Sequence, residues 1–153
     1  MPNSGRVGKD QEQAIVRHAK ANGFPGADRI IRTGAGKGYA VRPDEGDIWL
    51  CPGVIVQSKR LSPPNRMERA VAGWLAETRL QRYAAKADHA VLIVRREGTA
   101  DISKWWAHLY LHDLIYLAAD CGIRNDSVPV RLTVADAYTL LRAAGYGTAI
   151  GEG

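Results

Sequence analysis

Gly46-Asp47-Ile48-Trp49-Leu50-Cys51-Pro52-Gly53-Val54-Ile55-Val56-Gln57-Ser58-Lys59 is the stretch whose reading decides the fold. Two apolar runs rich in β-branched or aromatic residues flank the turn signal Pro52-Gly53, so two short strands are expected about that turn. If they pair antiparallel about Pro52, Asp47 lies opposite Gln57. Side chains alternate faces along a strand, which puts Gln57 and Lys59 on one face and Val56 and Ser58 on the other. One face at this end of the hairpin then carries an acid, an amide and an amine. A hydrophobic core needs no such cluster and burying it is costly, so chemistry is expected here.

Ahead of the hairpin, Asp10 to Asn22 reads as a helix, with Ala14, Ile15, His18 and Ala19 along one stripe and Gly23 as its stop. Glu12 sits in its first turn; taken alone it is a surface carboxylate favoured by the helix N-terminus. A short strand is expected at Arg29-Ile30-Ile31-Arg32. The loop Gly34-Ala35-Gly36-Lys37-Gly38 is too glycine-rich for regular structure, and it is not a P-loop, because its lysine is followed by Gly. Flanked by Arg32 and Arg42, this loop either offers N–H groups and cations to phosphates or is simply solvated.

Beyond the hairpin, Pro63-Pro64 blocks any further ladder. A long helix is expected from Asn65 or Arg66 to about Lys86, with Met67, Val71, Trp74, Leu75, Thr78, Leu80 and Tyr83 mostly on one side. Ala90 to Arg95 reads as a buried strand. Further strands are expected at Trp105–Leu111 and Val128–Thr133, then a helix from Val134 to Ala144, capped by Thr133 and ended by Gly145. His108 and His112 are read as structural, since a strand would separate them and no further ligand set accompanies them.

A chain of 153 residues fits a single domain spanning 1–153 with a real core. Its formal net charge of +5 permits a polyanionic partner without demanding one. The two cysteines, Cys51 and Cys121, lack metal-ligand spacing and read as free thiols of a reducing cytoplasm. The first residues have no apolar signal core, and no stretch is apolar and long enough to span a membrane.

Asp47 and Lys59, preceded in order by Glu12 and Arg32-Thr33-Gly34, resemble the PD-(D/E)XK nuclease superfamily, and within it the archaeal-type Holliday junction resolvases. The motif there is an Asp at the start of one strand and a Glu-x-Lys or Asp-x-Lys on the next; here Gln57 stands in place of the second acid. The resemblance covers Gly8 to Lys59 and fades after about Arg95. It leaves 1–95 as the motif-bearing core and the part from Asp101 onward without an assigned role.

The resemblance implies an α/β, restriction-endonuclease-like fold with a mixed central sheet flanked by helices. It also implies Mg2+, with Mn2+ as a substitute, held by oxygens of Glu12, Asp47, Gln57 and the Ser58 carbonyl, with Lys59 activating water or stabilising charge. Arg32, Thr33, Lys37, Arg42 and Arg60 would contact DNA. The implied activity is structure-selective DNA cleavage, as in recombination and repair. The alternatives are a non-catalytic nucleic-acid-binding module on the same fold and a restriction-type nuclease. Paired incisions on a two-fold junction call for a homodimer; Trp105, Trp106 and Tyr110 either form its interface or fill the core.

Overall fold

The computed structural model describes residues 4–31, 44–61, 67–114 and 128–148. Its element order is α1 (Ser4–Ala21), β1 (Asp28–Arg29), β2 (Ile48–Cys51), β3 (Val54–Lys59), α2 (Met67–Ala85), β4 (His89–Val94), a 3-10 turn at Ile102–Lys104, β5 (Trp106–Tyr110), the short α3 (Leu111–Leu114), β6 (Pro129–Thr133) and α4 (Val134–Ala143).

The strands form one mixed sheet in the order β1-β2-β3-β4-β5-β6. Only β3 and β4 run parallel, joined by the crossover helix α2; the other pairs are antiparallel. The fold class is therefore α/β, with a six-strand mixed sheet flanked by helices.

The expected hairpin is β2–β3. Ile48 pairs with Val56, and the ladder continues to Asp47, whose N–H donates to the Val56 carbonyl at 3.0 Å. Pro52 followed by Gly53 at φ +89° is the combination a type II turn asks for. A Cβ added at Gly53 would lie 2.6 Å from the Asp88 carboxylate. The register shifts between Trp49 and Cys51, an irregularity the apolar pattern does not reveal.

Alternation along β3 and β4 sorts the core into two layers. Val54, Val56, Val91 and Ile93 face α1 and α4, where Ile15, Ala19, Val134 and Tyr138 join them. Leu92 and Val94 face α2 and pack with Leu75, Val71 and Trp74. The sheet thus lies between α1 with α4 on one side and α2 on the other.

Several sequence expectations change. The first helix begins at Ser4 rather than Asp10, because its polar first turns carry no apolar stripe to read. The strand expected at Arg29–Arg32 shrinks to Asp28–Arg29; Ile31 is 69% exposed and Arg32 falls outside the described residues. Leu80 and Tyr83 were expected on the apolar side of α2, but they are 64% and 59% exposed. Thr78 is buried on the inward face as expected, and Gln81 joins it there; both serve hydrogen bonds rather than apolar contact. Thr133 does cap α4, accepting from the Asp136 N–H.

Gly53→Ala should cost about 1–3 kcal/mol, because a non-glycine residue at this φ is strained and its methyl meets Asp88. Urea denaturation of the two proteins measures this; equal midpoints would mean the turn relaxes freely.

Candidate active site

Three buried or half-buried polar residues end β3, and each is held from a different side. Ser58 is reached from α1: Gln11 Nε2 donates to Ser58 Oγ at 2.6 Å and to the Lys59 carbonyl at 3.0 Å. Gln57, 1% exposed, is reached from α2, where the one proton of the Thr78 hydroxyl is shared between Gln57 Oε1 and the Trp74 carbonyl. Lys59 reaches outward on the same face as Gln57. Its Nζ lies 3.8 Å from Glu77 Oε2 and 5.9 Å from the centre of the Trp74 ring, so α2 guides the ammonium. An ion pair this exposed contributes little to stability.

Asp47 stands at the entry to β2. Its Oδ2 accepts the Ser58 N–H at 2.9 Å, which ties the start of β2 to the end of β3. Burial raises its proton affinity above the ordinary carboxylate value, the Ser58 N–H opposes this, Glu12 raises it again, Lys59 lowers it and Asp44 raises it. Glu12, Asp44, Asp47 and Lys59, from α1, the segment before β2 and the end of β3, therefore share one electrostatic neighbourhood. Glu12 also accepts from Arg29 Nε at 2.8 Å, joining α1 to β1.

Asp44 and Gln11 are the residues a motif reading misses. Asp44 accepts from the Gly46 N–H at 3.0 Å and from Gln81 Nε2 at 3.0 Å, and so fixes the approach to Asp47. Its signal was an acid just ahead of Gly46. Gln11 adjoins Glu12 in α1, where an amide at a buried position carries no distinguishing pattern.

A hard cation needs oxygen donors with net negative charge. Asp47 and Glu12 offer carboxylates, and among the described residues the buried Gln11 Oε1 and Gln81 Oε1 accept no hydrogen bond. Oxygen donors and excess negative charge suit a small divalent cation, which keeps several waters and takes only one or two protein carboxylates. Among the described residues, however, no group of three His, Cys, Asp or Glu side chains is close enough to hold a metal ion. The Gln57 oxygen already has the Thr78 hydroxyl as partner.

The remaining candidates separate. Arg32, Thr33, Lys37, Arg42 and Cys121 lie outside the described residues, while Arg60 is exposed directly after Lys59. His108 is buried in β5, with its pKa lowered to about 4 by burial and by Arg131, whereas His112 is exposed on α3. Trp105 is a core residue, 4% exposed, whose Nε1 donates to the Thr99 carbonyl at 2.9 Å. Tyr110 packs against the α2-side core, and Trp106 is half-buried. The described residues contain no helix long and apolar enough to cross a membrane. No protein-family model, curated protein or solved structure matches the chain.

Two outcomes follow from the buried polar groups. The folded protein favours neutral Asp47, so ionisation subtracts stability as pH rises through its raised folded-state value. Asp47→Asn, whose amide oxygen still accepts the Ser58 N–H, should therefore be more stable than the parent at neutral pH. The two should converge below the ordinary carboxylate range. Thermal melts across pH measure this, and equal stability at neutral pH would remove the burial argument. Separately, Thr78→Val should cost about 1–3 kcal/mol by orphaning the Gln57 oxygen, read from urea denaturation.

Proposed function

We propose that the protein is a metal-dependent DNA endonuclease, of the structure-selective kind that acts on branched DNA. One observation carries the reading: Glu12, Asp47 and Lys59, from separate elements, are electrostatically coupled at one end of the β2–β3 hairpin. Their order along the chain is that of the resemblance to PD-(D/E)XK nucleases, from which Gln57 departs in place of the second acid.

In this reading Asp47 and Glu12 would hold Mg2+ or Mn2+, and Gln11 Oε1 is a further oxygen without a partner among the described residues, whereas the Gln57 oxygen already accepts from Thr78. Glu12 would exchange its Arg29 contact for the cation. The bound ion would neutralise charge on the phosphate and lower the pKa of a water. Lys59, guided by Glu77 and Trp74, places a positive charge where the phosphoryl oxygens gain negative charge. Asp47 is already held in place by the Ser58 N–H, so little reorganisation remains for it. Two incisions across a two-fold junction would require two copies; with Trp105 in the core, the half-buried Trp106 and Tyr110 are the expected interface aromatics that remain.

A second reading, a nucleic-acid-binding module without cleavage, is favoured by the Thr78 bond to Gln57 and the Arg29 bond to Glu12, which occupy two of the expected oxygen donors.

Cleavage of labelled four-way junction, flap, duplex and single-stranded DNA in Mg2+ or Mn2+ distinguishes the two. The parent should nick at least one branched substrate. Asp47→Ala and Lys59→Ala should keep their circular dichroism and lose about 10²-fold or more in rate. Full activity in either variant, or no cleavage of any substrate by the parent, sinks the nuclease reading.

A further inference from the structure

The parallel pair β3–β4 ends beside a cleft of about 480 Å³, with Arg60, Arg95 and Arg96 in its wall. It directly adjoins the site above: Arg60 follows Lys59, and the Arg95 N–H donates to the Lys59 carbonyl at 3.1 Å. We infer that this cleft is a second phosphate site, which holds the backbone of the same nucleic-acid strand beyond the phosphate at Asp47 and Lys59. The inference rests on the proposed nucleic-acid substrate and names the path its strand takes.

Charge is the first support. None of the three arginines makes an ion pair among the described residues. Glu97 also lines the cleft but pairs with none of them. Asp101, the next acid along the loop, is occupied elsewhere: its Oδ1 accepts from Ser103 N at 3.0 Å and from Ser103 Oγ at 2.6 Å. A cleft lined by three arginines and one carboxylate, with no ion pair between them among the described residues, keeps an excess of positive charge for an external anion.

Preorganisation is the second. Arg95 lies 5.6 Å from the Trp105 ring centre, and Arg96 lies 4.3 Å from that of Trp106. Arg131, from β6, comes within 4.1 Å of the same Trp106 ring. Two guanidinium groups thus share the one indole ring, whose π-system attracts both. Arg96 also donates to the Lys104 carbonyl, at 3.5 Å. Planar guanidinium forks held on aromatic rings keep N–H pairs free for bidentate contact to phosphate oxygens. The contacts concern backbone charge, so they are indifferent to base sequence.

The test is binding of a fluorescently labelled four-way junction, in EDTA so that nothing is cut, followed by anisotropy across a salt series. Arg60→Ala and Arg96→Ala should each weaken binding several-fold and flatten the slope of log K against log salt by roughly one unit. Lys20→Ala, which removes one exposed charge from α1, should leave the slope unchanged. Circular dichroism confirms that each variant is folded.

Unchanged slopes in both arginine variants would overturn the cleft, even if the parent cuts DNA. Flattened slopes in a protein that cuts nothing would uphold the cleft and reject the nuclease reading alone. Equal losses in all three variants would mean that charge acts without a defined site, and would also overturn it.

Discussion

A polar group inside a protein must find a hydrogen-bond partner, and strand β3 ends in residues that impose this demand on everything around them. Ser58 and the Lys59 carbonyl take the Gln11 amide from α1. Gln57 takes the Thr78 hydroxyl from α2. The Ser58 N–H goes to Asp47. Two helices and the neighbouring strand are therefore positioned against a few atoms at the end of one strand. Apolar burial holds the layers together through Val54, Val56, Leu92 and Ile93, but it is non-directional. Their mutual orientation at this end comes from the hydrogen bonds.

The same constraint explains why stability and chemistry pull apart at Asp47. A half-buried carboxylate facing Glu12 and Asp44 is a poor choice for a stable fold, since all three effects favour its neutral form. The Ser58 N–H and Lys59 return part of that cost. Among the described residues the buried amide oxygens of Gln11 and Gln81 likewise accept no hydrogen bond. At Gln57 the balance is the opposite. Its oxygen is satisfied by the protein itself, so its part is to lock α2 onto β3.

Parallel pairing of β3 with β4 then decides where charge collects. Both strands end at the same edge, so the residues that follow them, Arg60 on one and Arg95 and Arg96 on the other, emerge side by side although 35 positions separate Arg60 from Arg95. Trp105 and Trp106 supply rings on which these side chains rest.

The sequence by itself determined the local elements. The hairpin about Pro52-Gly53, the strand read at Ala90–Arg95 and formed at His89–Val94, the Thr133 cap and the alternation of faces along β3 all follow from short-range rules of alternation, turn chemistry and capping. It also located the Asp47 and Lys59 end of the hairpin, because polar residues at the end of an apolar strand stand out against their neighbours. Only the tertiary structure decided which partners those residues meet. Thr78 reads as part of an apolar stripe until α2 is laid on the sheet, and Gln11 is one of many helical amides until α1 brings it to Ser58. For Trp105 the sequence leaves interface and core both open, and the structure places it in the core, directly after the turn at Ile102–Lys104. Arg60 and Arg95 become neighbours only through the β3–α2–β4 crossover. Local propensity acts over a few residues, whereas hydrogen-bond partners and charge clusters are set by contacts between segments far apart in the chain, and no short-range pattern encodes those.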